Sequence, residues 1–219
     1  MLKRSFDFLG AAFGLFLFSP LLVAIALMIN LNSGPVFYRG VRIGLHGRPF
    51  RIFKFRTMVV NAEQLGASST GDDDPRITRF GRFLRRHKLD ELPQLLNVLS
   101  GDMSIVGPRP QVQWAVDLYK DDEHALLSVR PGITDYASLV FRDEGAILHG
   151  SADPDQDYLE TIHPEKVRLG LLYLQTQSMW TDLKIILATV AALFGSDPRW
   201  CFPVQDESLH HRGQPRVSS

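Results

Sequence analysis

Two adjacent acids, Asp90 and Glu91, are the side chains most able to do chemistry in a region otherwise rich in bases. Asp90 is a good helix N-cap, Pro93 is tolerated in a first helical turn, and Gly101 suits the position past a last turn. Free N–H groups at the start of such a helix would lower the pKa of Asp90 and attract phosphate. The pattern predicts either a persistent carboxylate beside an anion site or, as for most such pairs, a simple cap.

Arginines lie on both sides of the acid pair in the sequence. Between residues 76 and 88, bases recur at three-residue spacing with apolar residues between them, which predicts an amphipathic helix with a basic stripe. Downstream, the prolines of Pro108-Arg109-Pro110 restrict the backbone around Arg109, whose planar guanidinium suits a phosphate. Pro-Arg-Pro alone is a weak signal, and it gains weight from the nearby acids.

A β-hairpin is expected over residues 36–56. Two β-rich segments, 36–44 and 49–56, are joined by a turn that contains glycine. The second segment places apolar side chains on one face and bases such as Lys54 and Arg56 on the other. That basic face is either an ordinary solvated surface or one that attracts anionic lipid or a phosphorylated substrate.

The most apolar stretch precedes this hairpin. Residues 8–29 are 22 residues without a charge, enough for one helix to cross a bilayer core of about 30 Å. A secretory signal peptide is disfavoured because no small-residue cleavage pattern follows. Bases flank the run on both sides, so the positive-inside rule gives no orientation. Ser19-Pro20 near its centre allows a kinked spanning helix or a helix that breaks and returns to the same membrane face.

Composition and the distribution of charge limit the class of protein. The 219 residues contain 24 Lys+Arg and 24 Asp+Glu, but residues 1–60 carry a net charge of +7 and the remainder −7. A content of 45% hydrophobic and 22% charged residues excludes a wholly disordered, collagen-like or multi-span membrane protein. The single cysteine, Cys201, excludes a disulfide framework and a cysteine-rich zinc site, and favours a cytosolic folded part.

The remaining segments carry weaker signals. Asp72-Asp73-Asp74 lies in a polar loop over 61–75 and is more typical of a solvated turn than of a metal site. Two helices are expected, over 164–178 and 181–195. The second is too short to span a membrane, so it either lies at the membrane surface or packs in the core. Three aromatic residues suit that surface: Tyr173, Trp180 and Trp200.

Ordered motifs over about 130 residues resemble those of the small monotopic phosphoglycosyl transferases. These enzymes belong to the bacterial sugar transferase family, which initiates undecaprenyl-linked glycan assembly. No single motif is specific, but their order is. The motifs are Lys3-Arg4-Ser5-Phe6-Asp7, Ser19-Pro20, Gly34-Pro35-Val36-Phe37-Tyr38-Arg39, Lys54-Phe55-Arg56-Thr57-Met58, Leu89-Asp90-Glu91-Leu92-Pro93-Gln94, Asn97-Val98, Gly101-Asp102-Met103-Ser104, Val106-Gly107-Pro108-Arg109-Pro110 and Val129-Arg130-Pro131-Gly132-Ile133-Thr134.

The resemblance implies a membrane enzyme of pathways such as exopolysaccharide biosynthesis. Such an enzyme moves a phosphosugar from a UDP-sugar to undecaprenyl phosphate and releases UMP. It implies that Asp90 is the nucleophile of a covalent intermediate and that Asp90 and Glu91 hold Mg²⁺. Phosphate-binding roles are implied for four bases: Lys54, Arg56, Arg85 and Arg109. Direct attack by the prenyl phosphate, without a covalent intermediate, would use the same residues.

The expected fold is α+β and mainly helical, in three parts. By the resemblance, residues 1–33 form a re-entrant membrane helix broken at Ser19-Pro20. Residues 34–195 form a catalytic domain on the cytosolic face of the inner membrane, with amphipathic helices at the interface, and residues 196–219 a loosely ordered tail. The expected partners are a UDP-sugar, undecaprenyl phosphate and the cytosolic leaflet of the bilayer. A homodimer is compatible with this picture, and no nucleic acid is expected.

Two points stay open at the level of sequence. The family pattern usually continues Pro-Gly-Ile-Thr-Gly, whereas this chain has Asp135. Arg142 and Asp143, just beyond, are therefore either candidate readers of the sugar or a surface salt bridge. The alternative function is a membrane-anchored basic module that binds anionic lipid or nucleic acid without catalysis. Asp90 and Glu91 argue against it, because acids within a polyanion-binding surface repel the ligand.

Overall fold

The structure is a computed structural model in which residues 2–31, 33–66 and 69–203 are described. It has the expected mainly helical α+β architecture. The helices are α1 (Leu2–Asn30), α2 (Arg79–Arg86), α3 (Gln94–Ser100), α4 (Gln113–Val116), α5 (Tyr136–Val140), α6 (Glu144–Ile147), α7 (Pro154–Asp157), α8 (His163–Thr176) and α9 (Met179–Leu193). The strands are β1 (Phe37–Tyr38), β2 (Val41–Ile43), β3 (Pro49–Arg51), β4 (Lys54–Phe55), β5 (Ser104–Val106) and β6 (Gly132–Thr134).

The apolar N-terminal run forms one helix of 29 residues, α1, which continues through Pro20. By length and composition, it is the one helix in the described part of the chain that could cross a membrane. The helical assignment is not interrupted at Ser19-Pro20, and a hydrogen bond there replaces the one that the proline cannot make. The Ser19 hydroxyl donates at 2.8 Å to the Phe16 carbonyl. That carbonyl is the acceptor that an N–H at Pro20 would have used, so the serine compensates for the proline.

Both ends of α1 pack on the folded body, while its middle does not. Ala11 is buried in a cluster with Val98, and Ile29 is buried in another cluster with Leu84. Between these contacts, residues 16–21 are exposed. The two halves of the helix therefore lie against one body, and an apolar segment is left uncovered between them.

Buried charges fasten the N-terminal end of α1 to this body. Asp7 is 2% exposed and accepts hydrogen bonds from Ser104 Oγ at 2.8 Å and from the next backbone N–H at 3.1 Å. Asp182 of α9 is 1% exposed, pairs with Lys3 and accepts a 2.7 Å bond from the Tyr173 hydroxyl. We call Lys3, Asp7, Ser104, Tyr173 and Asp182 the anchor network. They join the first turns of the chain to β5, α8 and α9.

Residues 36–56 form the expected hairpin, with an interruption along its length. Strands β2 and β3 pair antiparallel next to the turn, and β1 and β4 pair antiparallel at the open end. Within the turn, His46 and Gly47 adopt left-handed backbone conformations, which glycine takes without strain. A parallel pair of β5 and β6, which the sequence did not predict, contacts α9.

The main core lies among α5, α8 and α9, and both long C-terminal helices are close to their predicted positions. Of the two places left open for Tyr173, the membrane interface and the core, the structure shows the core. On α9, Ile185 and Ala188 are buried, whereas Trp180 and Leu187 are exposed. This helix therefore has one packed face and one uncovered apolar face.

The packed part of the chain extends beyond the predicted boundary at residue 195. Pro198–Cys201 form a 3₁₀ turn, Cys201 is buried in the main core, and Phe202 packs against that core. Residues 204–219, the rest of the predicted tail, lie outside the described residues.

Candidate active site

Three segments that are distant in sequence bring Lys54, Glu91 and Arg109 together. Lys54 lies on β4, Glu91 ends the 3₁₀ turn Leu89–Glu91, and Arg109 follows β5. Lys54 Nζ lies 2.8 Å from Glu91 Oε1, and Arg109 Nη1 lies 3.1 Å from Glu91 Oε2. Arg109 Nη2 also bonds Glu91 Oε1. Glu91 is therefore held by two cations, and we call these three residues the charge cluster.

Asp90, next to the charge cluster, is bonded differently. It is 7% exposed, and its Oδ1 has no hydrogen-bond partner among the described residues. The prediction that Asp90 caps a helix is wrong, because it lies inside the 3₁₀ turn and α3 begins only at Gln94. Burial and the neighbouring Glu91 raise the pKa of Asp90, opposite to the predicted direction. Gly101 does end α3 in a left-handed conformation, as predicted.

The contacts within the charge cluster keep Glu91 ionised. Burial alone would raise the pKa of Glu91, but Arg109 and Lys54 more than offset it and hold that pKa well below its usual range. Burial lowers the pKa of Lys54, and the charge of Glu91 opposes this change. Two cations around one stable carboxylate leave positive charge beside Asp90, which suits a phosphate.

Arg85 approaches the same acids from α2. Its Nε donates a 2.9 Å hydrogen bond to Thr57 Oγ1, and burial lowers its pKa while Asp90 opposes that change. Helix α2 lies this close because of Gly81: an added Cβ there would be 1.9 Å from the Thr57 carbonyl oxygen. Thr78 caps α2 by accepting the Gly81 N–H at 2.9 Å. The predicted basic-stripe helix is therefore present, in a shorter form than residues 76–88.

Asp135, where the chain departs from the pattern it resembles, positions Arg109. Its Oδ2 accepts the Arg109 N–H at 3.3 Å, and its Oδ1 accepts the N–H and the hydroxyl of Ser138 at 2.7 Å each. The two segments meet because Gly132 lies against Gly107, where an added Cβ on Gly132 would be 2.1 Å from a backbone nitrogen. Asp135 thus caps α5 and holds the loop of Arg109, a role that the sequence did not predict.

Three other predicted site residues have their contacts elsewhere. Arg56 donates to backbone carbonyls at the end of α1, one of them at 2.9 Å. Arg142 bonds the Ala192 carbonyl near the end of α9. Asp143 is exposed and precedes α6. Arg142 therefore fastens α9, and the structure gives it no part in the charge cluster.

Two buried amides on α3, Gln94 and Asn97, belong to the motifs of the resemblance but were given no role from the sequence. Asn97 accepts the Phe53 N–H at 2.8 Å and donates to the Arg51 carbonyl at 3.0 Å. Gln94 is 1% exposed, yet its side-chain nitrogen has no partner in the described part of the chain. A signal for Gln94 was available, because it follows Asp90 by four residues and such residues share one side of a helix.

The carboxylates of the site fit a magnesium ion only in part. Asp90 has a free oxygen, whereas both oxygens of Glu91 already accept bonds from cations. Glu91 could bind a metal only by sharing its oxygens with Lys54 and Arg109, so Asp90 is the better placed ligand. Elsewhere, Asp72, Asp73 and His149 form an exposed group with ligand atoms within 4.8 Å of one another. Asp72 and His149 bond each other at 2.6 Å, so this group fastens a surface loop.

Comparisons with known proteins agree with these features. Residues 1–196 match the family described as bacterial sugar transferase. The chain is 39% identical over 197 residues to the UDP-N-acetylgalactosamine-undecaprenyl-phosphate N-acetylgalactosaminephosphotransferase of Aeromonas hydrophila, a match that covers 88% of this chain and 43% of that protein.

Two further relatives carry the name UDP-glucose:undecaprenyl-phosphate glucose-1-phosphate transferase. The protein from Escherichia coli K12 is 39% identical over 194 residues, which cover 87% of this chain and 39% of that protein. The protein from Caulobacter vibrioides is 41% identical over 199 residues, which cover 89% and 70%. The chain therefore spans about two fifths of the length of the Aeromonas and Escherichia relatives.

Proposed function

The chain belongs to the bacterial sugar transferase family, and on that premise we propose that it transfers a sugar phosphate from a UDP-sugar to undecaprenyl phosphate, with release of UMP. The relatives described above are named for transfers onto undecaprenyl phosphate. The observation that carries the proposal is the free, buried oxygen of Asp90 beside the charge cluster. A carboxylate nucleophile needs an open oxygen, and a phosphate needs cations around it.

Asp90 is the proposed nucleophile of a two-step reaction. An oxygen of the ionised carboxylate attacks the phosphorus next to the sugar, and the bond from this phosphorus to the bridging oxygen breaks. UMP leaves with the electron pair. A phosphate oxygen of undecaprenyl phosphate then attacks the aspartyl phosphosugar, which restores the carboxylate and gives undecaprenyl-diphosphate-sugar. Direct attack would need no open carboxylate oxygen, so the partnerless Oδ1 favours the covalent route.

Lys54, Arg85 and Arg109 are the cations proposed to hold the phosphates. All three have charges that act on Asp90 or on its neighbour Glu91. Arg109 presents a planar fork that suits two phosphate oxygens, and Glu91 orients this fork before substrate binds. Arg56 is left out of this set because it closes the end of α1.

Magnesium stays in the proposal with a changed set of ligands. The Asp90 carboxylate, with one oxygen for the metal and the other for the attack on phosphorus, would hold Mg²⁺ together with the phosphates of the substrates, because this ion accepts one protein carboxylate plus phosphates. When bound, the ion would neutralise phosphate charge. Chelation with EDTA should abolish UMP release, and added Mg²⁺ should restore it. Full turnover in EDTA would remove the metal from the mechanism.

We also propose that α1 enters the cytosolic leaflet of the inner membrane and returns to the same face. Its two packed halves and the exposed stretch 16–21 between them support this placement. The uncovered face of α9 can lie on the same surface. In a Cys201→Ser background, single cysteines at residues 2 and 60 should both be protected from reagent added outside intact cells. Labelling of residue 2 alone would establish a spanning helix.

Release of UMP tests the reaction itself. A panel of UDP-sugars is supplied with undecaprenyl phosphate, and at least one donor should release UMP. Mass spectrometry after incubation with labelled donor and no acceptor should find a phosphosugar on the peptide that contains Asp90. Release without this adduct would favour direct attack, and no release from any donor would contradict the function. The basic module without catalysis is not favoured by the family membership, and a homodimer stays a prediction.

A further inference from the structure

Two polar atoms beside the reacting carboxylate lack partners although both are buried. Asp90 is 7% exposed and Gln94 is 1% exposed. In the part of the chain that the structure describes, neither Asp90 Oδ1 nor Gln94 Nε2 has a hydrogen-bond partner. Buried polar groups are normally satisfied, because an unsatisfied one lowers the stability of the fold. Among the described residues, one other buried side-chain atom, His163 Nδ1 on α8, also lacks a partner, so it is the closeness of these two in the chain, beside the charge cluster, that points to a function.

The backbone places the two side chains on one side of the same path. Leu92 and Pro93 both have right-handed helical conformations, so the turn that contains Asp90 runs directly into α3. Four residues along such a path are little more than one helical turn, so the two side chains project from neighbouring turns. The Gln94 donor and the Asp90 acceptor nevertheless do not bond each other. Each is left open to a third group.

The open amide is particular to this position on α3. Asn97, one turn further along, is also buried and bonds backbone groups of the hairpin with both ends of its amide. Helix α3 therefore does not lack partners for its amides in general. The unsatisfied one is the amide nearest in sequence to the two acids.

We infer that Gln94 is a catalytic residue whose N–H donates to a non-bridging oxygen of the phosphoryl group that Asp90 attacks. The inference rests on the proposed function. A donor already directed at the oxygens of the transferring group stabilises the transition state without reorganisation. Because the amide is neutral, it can hold a phosphoryl oxygen without forming an ion pair with the Asp90 carboxylate. A lysine or arginine at this position would pair with that carboxylate and block it.

Gln94→Met tests the inference, since it removes the donor at similar size. In a single turnover with labelled UDP-sugar and no acceptor, the adduct on Asp90 should form about 100-fold more slowly. In steady state, kcat should fall while the KM for the donor stays close to that of the wild type. The Tm should be unchanged or higher, because an apolar group replaces an unsatisfied polar one. Asn97→Leu is the matched control on the same helix, and its Tm should fall.

Gln94→Glu gives a second test, because it keeps the shape and replaces the donor by an acid that repels phosphoryl oxygen. Adduct formation at the wild-type rate in either folded variant would overturn the inference. Failure of both variants to fold would also overturn it, since a partnerless amide should be dispensable for folding. A wild type that releases no UMP would contradict the proposed function itself. A wild type that turns over beside fully active Gln94 variants would remove only the role of Gln94.

Discussion

The anchor network and the candidate active site both bury charged groups, and they do so in opposite ways. In the anchor network, Asp7 and Asp182 each accept hydrogen bonds from two donors. In the candidate active site, Asp90 has an oxygen and Gln94 a nitrogen without a partner among the described residues. A buried charge with its partners holds a structure in place, whereas an unpaired one lowers stability and is retained where function needs it. The chain thus separates the residues that hold α1 from the residues proposed to react.

Asp90→Asn should have the largest effect and should separate the two regions most clearly. An amide cannot carry a phosphoryl group, so UMP release should fall at least about 1000-fold, or about 4 kcal/mol in transition-state stabilisation. The free energy of unfolding should stay the same or rise, because a buried charge with an open oxygen becomes neutral. Asp121→Asn at an exposed site is the control. Parallel losses of activity and Tm would identify Asp90 as a structural residue.

Asp7→Ala should produce the reverse pattern. Two hydrogen bonds to a buried carboxylate are lost, so the free energy of unfolding should fall by about 3 kcal/mol. The activity of the protein that remains folded should change little, since Asp7 lies outside the charge cluster. Denaturant unfolding in detergent measures the first quantity and UMP release well below the Tm the second. Asp7→Asn, which keeps one acceptor, should cost less stability. A normal Tm for Asp7→Ala would refute the contrast between the regions.

Arg109→Lys should have an intermediate effect, because Arg109 both holds Glu91 and faces substrate. A point charge replaces a planar fork, and kcat/KM should fall at least tenfold, or about 1.4 kcal/mol. Arg168→Lys on α8 is the matched control, because Arg168 pairs with Glu165 away from the charge cluster. Unchanged kinetics in folded Arg109→Lys would limit Arg109 to a structural role.

Changes of pH should produce the smallest and most gradual effect. Burial and Glu91 raise the pKa of Asp90 above its unfolded value of about 3.9. Its contribution to stability is therefore complete below that value and is lost as the pH rises through the folded pKa. Activity should change in the opposite direction, because only the ionised carboxylate attacks. The pKa of Glu91 is lowered by folding, so Glu91 stabilises the fold at a pH above its pKa in the unfolded chain. This contribution is lost as the pH falls through its pKa in the folded protein.

The measurement is Tm and UMP release as functions of pH for the wild type and Asp90→Asn. In the wild type, activity should increase over the pH range in which the Asp90 contribution to stability decreases. In Asp90→Asn, the decrease in stability over that range should disappear. Identical Tm profiles for the two proteins would contradict the raised pKa.

Features that depend on neighbouring residues could be predicted from the sequence. The hairpin, α8, α9 and the end of α3 at Gly101 all follow from local patterns. The cap at Asp90 was predicted wrongly because α3 starts one turn later, after Pro93, so the N–H groups expected near Asp90 belong to a different turn. Local rules describe which residues suit a helix start, but they do not choose between two starts three residues apart.

Features that depend on distant contacts could not be predicted. Lys54 and Arg56 belong to one basic motif, yet β4 ends at Phe55, so alternation no longer determines where Arg56 points. It bonds the end of α1 instead of joining the charge cluster. The role of Asp135 depends on the close approach of Gly107 to Gly132. The sequence between these two glycines does not predict that approach. The family resemblance supplied the reacting acids, and the fold supplied their partners.

The anchor network has a consequence for the order of events during synthesis. Lys3 and Asp182 are separated by 179 residues, and Asp7 and Ser104 by 97. Contacts between such distant residues form late, because the intervening chain must first be made and ordered. The apolar helix α1 is therefore synthesised long before the folded body that holds its N-terminal end. During that interval, the membrane is the apolar surface that α1 can contact. We therefore expect α1 to insert into the membrane before it docks on the folded body, and translation of α9 to complete the attachment.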